Sequence, residues 1–366
     1  MIISKFPDTS GQKANNYNQM KLLKIILYPL TPVYLLAIKL RNLFFDKNIF
    51  KSKRVTAKVI SVGNITVGGS GKTPLVIYLA ALLKNSNGNV GVLSRGYGRK
   101  SSGYKLVSDG KTIITTVRDS GDEIYHTVLE CKVPAAVSED RVIGAVRLIE
   151  DTGIDTIVLD DAFQHRWIER DLDLVVIEQR FLRSNNFFVN NLLPAGNLRE
   201  PYSALQRADA IVINRKFSEQ IEIPADRKKY FEGKKIFTAR YKAIEFVDII
   251  KKEAYSLEEF DGQKSLVVSG IANPVSFLNI LLQTNVDTSN KIIFRNHKDY
   301  TLKEVQQIRK EFYATNSHSV VATEKDAVKL MNFAKELDDI DIFYLKIKLE
   351  IDNEELFRKF LLEKIN

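Results

Sequence analysis

Apolar residues are spaced in three different ways along this chain of 366 residues. Residues 22–45 form a dense apolar run interrupted by Pro29 and Pro32. From residue 55 onward, short continuous apolar runs (55–62, 90–93, 156–159, 172–177 and 210–213) alternate with stretches of helical period such as 75–83 and 141–150. Continuous apolar strands separated by helices predict a parallel sheet covered on both faces. The alternation resumes at 265–269, 274–282, 291–294, 302–312 and 319–323. Two long β-rich segments, 236–250 and 341–351, flank this second block and are expected to pair as a two-stranded ribbon. The predicted class is therefore α/β: a mostly parallel sheet covered by helices, with a second, smaller α/β domain joined by a two-stranded linker. The expected divisions are a polar, flexible N-terminus (1–19), a helical stem (20–46), a first domain (47–240) and a second domain with the linker strands (241–366).

Charge changes the reading of the stem. Residues 1–60 hold eleven Lys or Arg against Asp8 and Asp46, and this surplus alone equals the net charge of +9. The rest of the chain is neutral. A nucleic-acid binder carries its basic patch on the folded body, so nucleic acid is not an expected partner. Bases flanking an apolar segment point instead to an anionic membrane surface. The uncharged part of the run, 25–38, falls short of the roughly 20 residues of a spanning helix. Thr31-Pro32 reads as a fresh helix start after Pro29. The expectation is a pair of interfacial helices with Tyr28, Tyr34, Phe44 and Phe45 at headgroup depth; the alternative is a helix buried against the body. No small-residue cleavage site follows, which argues against a signal peptide. Cys131 is the single cysteine, so an intrachain disulfide is excluded and a reducing compartment is expected.

Chemistry concentrates at strand ends. The first strand runs into Gly63-Asn-Ile-Thr-Val-Gly-Gly-Ser-Gly-Lys-Thr-Pro74 and then a helix. Strand, glycine-rich turn and helix in that order form a phosphate-binding loop. Its backbone N–H groups face the anion, Lys72 reaches the β/γ phosphates, and Thr73 holds Mg²⁺. Thr66 stands where the general pattern has glycine. The strand at 156–159 ends in Asp160-Asp161, the usual carboxylate partners of such a loop and its Mg²⁺. Two adjacent acids at a buried strand end require a cation nearby. Ser94-Arg-Gly-Tyr97-Gly98 closes another strand and suits an anionic, sugar-bearing ligand. Asp122 and Glu123 open a helix, where acids are also favoured simply by the helix dipole. Arg199 lies in a Pro/Gly loop, placed to offset phosphate charge. Asn214-Arg-Lys-Phe217 lacks the Asp of a guanine-reading motif. From the residues alone, a kinase and a membrane-associated ATPase or GTPase switch both remain open, as does a non-catalytic scaffold.

The combined motifs resemble one family, the tetraacyldisaccharide 4′-kinases of lipid A biosynthesis in Gram-negative bacteria. The resemblance rests on residues 61–74, 94–98, Gly121-Asp-Glu123, Asp160-Asp-Ala-Phe-Gln-His165, Leu192-Leu-Pro-Ala-Gly196, Leu198-Arg-Glu-Pro201 and Thr323-Glu-Lys-Asp326. Thr66 is ordinary in that family. The resemblance implies Mg²⁺-dependent transfer of the γ-phosphoryl group of ATP to the 4′-hydroxyl of tetraacyldisaccharide 1-phosphate, giving lipid IVA. It implies a peripheral enzyme on the cytoplasmic face of the inner membrane. By the same resemblance, Thr66, Val67, Gly68, Gly69, Ser70, Gly71, Lys72 and Thr73 bind nucleotide. Thr73, Asp160 and Asp161 hold metal, and Tyr97, Arg141 and Gln164 support substrate. Asp122 is the implied base, oriented by His297, with Asp161 and Arg199 completing the catalytic set. Asn296 departs from the family, which has Asp there.

Overall fold

The computed structural model describes residues 22–86, 88–271, 274–294 and 299–365. The polar N-terminus expected to be flexible lies outside them. Among the described residues, thirteen strands form one sheet. In chain order they are β1 (Lys58–Gly63), β2 (Val90–Ser94), β3 (Lys105–Asp109), β4 (Pro134–Val137), β5 (Thr156–Asp160), β6 (Leu172–Glu178), β7 (Ala210–Lys216), β8 (Lys235–Asp248), β9 (Ala254–Tyr255), β10 (Lys264–Ser269), β11 (Asp287–Ile293), β12 (Ser319–Thr323) and β13 (Ile342–Ile351). Across the sheet the order is β11-β10-β12-β13-β8-β7-β6-β1-β5-β2-β4-β3, with β9 pairing on β8.

β1 runs parallel to both β5 and β6. Its burial is nearly complete, which explains the unbroken apolar run that replaces alternation. The chain returns to opposite sides of β1 for its two neighbours, and a crevice opens at the carboxyl ends of strands where such a reversal occurs. Register decides what lines that crevice: Val62 lies opposite Asp160, so the loop leaving β1 starts beside the acid ending β5. The helix Lys72–Asn85 covers this region and buries Leu75, Val76 and Leu79. Each such side chain contributes roughly 1.5–3 kcal/mol of burial.

β8 and β13 pair antiparallel from Phe343↔Asp248 to Ile351↔Ala239. The first residues of β8 also pair parallel with β7, so the sheet continues from one half of the chain into the other. One expectation fails at the C-terminus. The helix Glu354–Ile365 does not join the second block; Phe357, Phe360 and Leu361 pack in the same core as Ile60, Leu75 and Leu79. β13 runs back along β8 and delivers the chain to the first half, where an apolar helix face has a core to cover.

The stem also departs from expectation. Residues Leu22–Asp46 form one helical run of 25 residues, long and apolar enough by length and composition to cross a membrane. Pro29 sits in a short 3₁₀ turn, Tyr28–Leu30, and Pro32 in the first turn of the helix Thr31–Asp46. In those places a missing N–H breaks no interior hydrogen bond, so the prolines do not split the run. Leu22, Ile25, Ile26, Val33, Leu36, Leu40 and Leu43 are exposed. The other side docks on the body. Tyr34 Oη donates to the Arg199 carbonyl at 3.0 Å, and Phe45 meets Trp167 edge to face. Arg41 pairs with Glu200 at 3.3 Å, and Arg207 joins the same carboxylate at 2.8 Å. Glu200 is fully buried; burial raises its pKa, but Arg207, Asn42 and Arg41 outweigh that and hold it below the ordinary value. Removing the centre of such a network leaves an uncompensated cation. Glu200→Ala should destabilise the protein by about 3–5 kcal/mol in denaturant titration.

Candidate active site

Glycine conformation makes the loop after β1. Gly71, at φ +98°, turns the chain into the helix Lys72–Asn85. A Cβ at Gly71 would stand 2.1 Å from Asn214 Nδ2 and 2.6 Å from Tyr241 Oη. Those two groups hold the loop from below: Asn214 donates to the Ser70 carbonyl at 3.1 Å and to Tyr241 Oη at 3.0 Å. Asn64 donates to Ser70 Oγ at 2.9 Å. Gly68 and Gly69 have open space where a side chain would project, leaving their backbone accessible to an anion.

The loop at 191–201 braces the phosphate loop from the side. Val67 N donates to the Asn197 carbonyl at 2.8 Å, and Arg199 N to the Ile65 carbonyl at 2.7 Å. Thr66 bridges to Leu198. That pairing turns the Thr66 side chain inward, where it is buried. It packs beneath the loop, and the cleft lining begins at Val67. Arg199 is thus fixed by backbone pairing, and its guanidinium Nη1 lies 2.9 Å from both carboxylate oxygens of Asp161. Lys72 Nζ is 3.5 Å from Asp161 Oδ1.

The two acids are in opposite electrostatic states. Burial drives the Asp160 pKa up to about 7, with Glu123 adding to the rise. Asp161 is also opposed by burial, but Lys72 and Arg199 prevail and hold its pKa below the ordinary carboxylate value. Asp160 Oδ1 is buried without a hydrogen-bond partner among the described residues. An orphaned carboxylate oxygen beside Asp161 and Thr73 fits a hard cation, whose ligands are carboxylate and hydroxyl oxygens. The shift also sets a pH dependence. Asp160 binds its proton up to about pH 7 in the fold but only up to 3.8 as the reference group. The native state therefore holds the extra proton across that window, and the stability this group contributes is lost as pH rises through it. Asp160→Asn should flatten the melting temperature between pH 4 and 7 and raise it above wild type at pH 8, both without added cation.

The remaining expected residues fall around the same cleft of about 1770 Å³, which Val67–Thr73, Tyr97, Asp122, Arg141, Asp160, Asp161, Gln164 and Arg199 all line. Tyr97 is 80% exposed on its rim. Arg141 is buried at the start of a helix capped by Asp140. It donates to the Ser138 carbonyl at 3.0 Å and approaches the Asp160 carbonyl at 3.5 Å; burial lowers its pKa to about 10. Gln164 donates to the Asn64 carbonyl at 2.7 Å. In this state both support backbone around the acids and the loop. Asp122 opens the helix Asp122–Cys131 after Gly121, whose φ is +91°. His297 and Asn296 lie outside the described residues.

Some cleft residues carry no site role in the sequence reading. Glu123 is close enough to Asp160 to raise its pKa. The second half supplies Glu324, Lys325 and Lys329. Lys329 Nζ lies 3.5 Å from Asp122 Oδ2, Lys325 Nζ 3.6 Å from Glu123 Oε1, and Glu324 2.9 Å from His126 Nε2. Asp326 holds this wall in place: it is buried and accepts from Gly270 N and Tyr300 Oη, both at 3.0 Å. The Thr323-Glu-Lys-Asp326 motif was the available signal, but contacts nearly 200 residues apart are not written in spacing.

Known proteins resemble this chain in sequence and in fold. The family model LpxK, tetraacyldisaccharide-1-P 4′-kinase, matches residues 23–366. A tetraacyldisaccharide 4′-kinase of Desulfatibacillum aliphaticivorans is 32% identical over 360 residues, covering 94% of each chain. One from Chlorobaculum parvum is 36% identical over 352 residues, covering 92% of this chain and 94% of the relative. A crystal structure of "apo" form LpxK from Aquifex aeolicus in complex with ATP superposes with a TM-score of 0.77 at 31% identity, over 94% of this chain and 100% of that one. With a match over nearly its whole length, in sequence and in fold, this chain belongs to the tetraacyldisaccharide-1-P 4′-kinase family.

Proposed function

We propose that this chain transfers the γ-phosphoryl group of ATP to the 4′-hydroxyl of tetraacyldisaccharide 1-phosphate, forming lipid IVA in lipid A biosynthesis. The observation that carries the reading is the meeting of Val67–Thr73, Asp160–Asp161, Arg199 and Asp122 on one cleft. Phosphoryl transfer needs little covalent chemistry from the protein and depends on positioning and charge stabilisation. The open backbone at Gly68–Gly69 cradles the phosphates, with Lys72 reaching toward the transferred group. Arg199, released from Asp161 when phosphate enters, offsets charge on the γ-phosphoryl oxygens. Asp122 accepts the proton of the sugar hydroxyl, and His297 orients it. Thr73, Asp160 and Asp161 would hold Mg²⁺, which would supply positive charge to offset that of the phosphates. Tyr97 on the rim meets the sugar, while Arg141 and Gln164 keep the acids and the loop in register beneath it.

The chain is read as a first unit of residues 47–240 with the C-terminal helix, and a smaller second unit joined to it by the β8–β13 ribbon. The stem lies along the cytoplasmic face of the inner membrane, its exposed leucines and isoleucines in the interface and its bases toward anionic headgroups. Its docking on Arg199 and Glu200 then holds the phosphate-binding loop near that surface, where a lipid hydroxyl is available.

The test is a γ-labelled ATP assay with tetraacyldisaccharide 1-phosphate in mixed micelles, with Mg²⁺ or with chelator. Mg²⁺-dependent label in the chloroform-extractable lipid supports the reading. Label released only as inorganic phosphate, with lipid unlabelled, identifies an ATPase switch instead.

A further inference from the structure

A second group of metal-ligating side chains bridges the two walls of the cleft. His126 and Glu130 stand at positions i and i+4 of the helix Asp122–Cys131 and so share one face. Glu324 opens the facing helix Glu324–Leu330. One donor atom from each of the three lies within 4.8 Å of the other two. Two ligands held about 2.0–2.2 Å from a common cation at 90–110° stand about 3.0–3.5 Å apart. His126 Nε2 and Glu324 Oε2, at 2.9 Å, already lie close to that separation.

The contact is not explained as a hydrogen bond. Both ring nitrogens of His126 are out of contact with solvent, and neither has a hydrogen-bond partner among the described residues. Local charge is also unbalanced. Glu130 and Glu245 share one ammonium, that of Lys346, at 4.0 and 3.4 Å. Glu324 adds a third carboxylate, and Lys325 is turned toward Glu123. The neighbouring phenol, Tyr344, feels Glu324, Glu130 and Glu245 together. Three carboxylates therefore converge on one ammonium and on the His126 imidazole, which stands against Glu324.

We propose that His126, Glu130 and Glu324 bind a divalent first-row transition cation of the Zn²⁺ class, using donors separate from Asp160 and Asp161. One imidazole with two carboxylates suits Zn²⁺ better than Mg²⁺, which takes oxygen ligands and retains its waters. Bound there, the cation ties the helix that begins with Asp122 to the helix that carries Lys325 and Lys329, fixing one wall of the cleft against the other.

The experiment uses untagged, full-length protein stripped of metal, in detergent and without nucleotide. Zn²⁺ is titrated calorimetrically, and Co²⁺ serves as a spectroscopic probe through its visible d–d absorption. The expected result is one equivalent of saturable binding with a Co²⁺ spectrum displaced by Zn²⁺. His126→Ala and Glu130→Gln should each weaken the affinity at least about tenfold, with far-UV circular dichroism unchanged, whereas Asp160→Asn should leave it intact. If His126→Ala fails to fold, Glu130→Gln decides. Absence of saturable binding, or binding unchanged in the cluster variants, overturns the proposal and leaves an ion pair only. Binding abolished by Asp160→Asn but not by the cluster variants overturns it equally. None of these outcomes depends on label transfer to lipid, so the kinase reading and this site fail or stand separately.

Discussion

Asp122→Ala should lower turnover by about 10²–10⁴ while ATP binding is kept. Asp122 is the first residue of its helix, placed by the left-handed turn at Gly121, and it faces the same cleft as Lys72 and Asp161. Its neighbour in the structure is Lys329, at 3.5 Å; no phosphate-loop residue is paired with it among the described contacts. Loss of its carboxylate therefore removes a proton acceptor and leaves the nucleotide cradle built from Gly68–Thr73 unchanged. Initial rates at saturating ATP, together with calorimetric ATP affinity, separate the two effects. Equal turnover in the variant would remove Asp122 from the reaction; a parallel loss of ATP affinity would make it part of the nucleotide site.

Arg199→Ala is expected to cost a comparable amount, about 10³-fold in turnover, by analogy with arginines that offset transition-state charge. Here the arginine is in cis and prepositioned. Its backbone N–H is bonded to Ile65 and its carbonyl accepts from Tyr34, so the side chain projects from a fixed point beside the loop. Arg199→Lys keeps the charge but not the planar fork, and should recover only part of the rate. The contacts also link the stem to the reaction: Tyr34→Phe removes one hydrogen bond to this loop without touching the cleft chemistry. A turnover in Arg199→Ala within a fewfold of wild type would mean that Lys72 alone meets the charge.

The legible parts of this protein are those whose chemistry is local in sequence. A buried strand, a glycine turn and Lys72-Thr73 all fall between Lys58 and Thr73, and Asp160 ends the apolar strand β5 in register with Val62. Asp122 was different. Acids at a helix start are favoured for electrostatic reasons alone, so only the family resemblance distinguished it. Pro29 and Pro32 misled because a proline breaks a helix only where an N–H is needed. The return of the helix Glu354–Ile365 to the first core, and the approach of Lys329 to Asp122, depend on the course of β8 and β13, which no local pattern encodes.

The measurement closest to the central claim is the position of the new phosphoryl group on the lipid product. Product made from tetraacyldisaccharide 1-phosphate, ATP and Mg²⁺ is purified and examined by ³¹P–¹H correlation. A second phosphorus signal correlated with the proton at the 4′ carbon of the distal glucosamine is expected. A new phosphorus correlated with any other position, or orthophosphate with unchanged lipid, would contradict it.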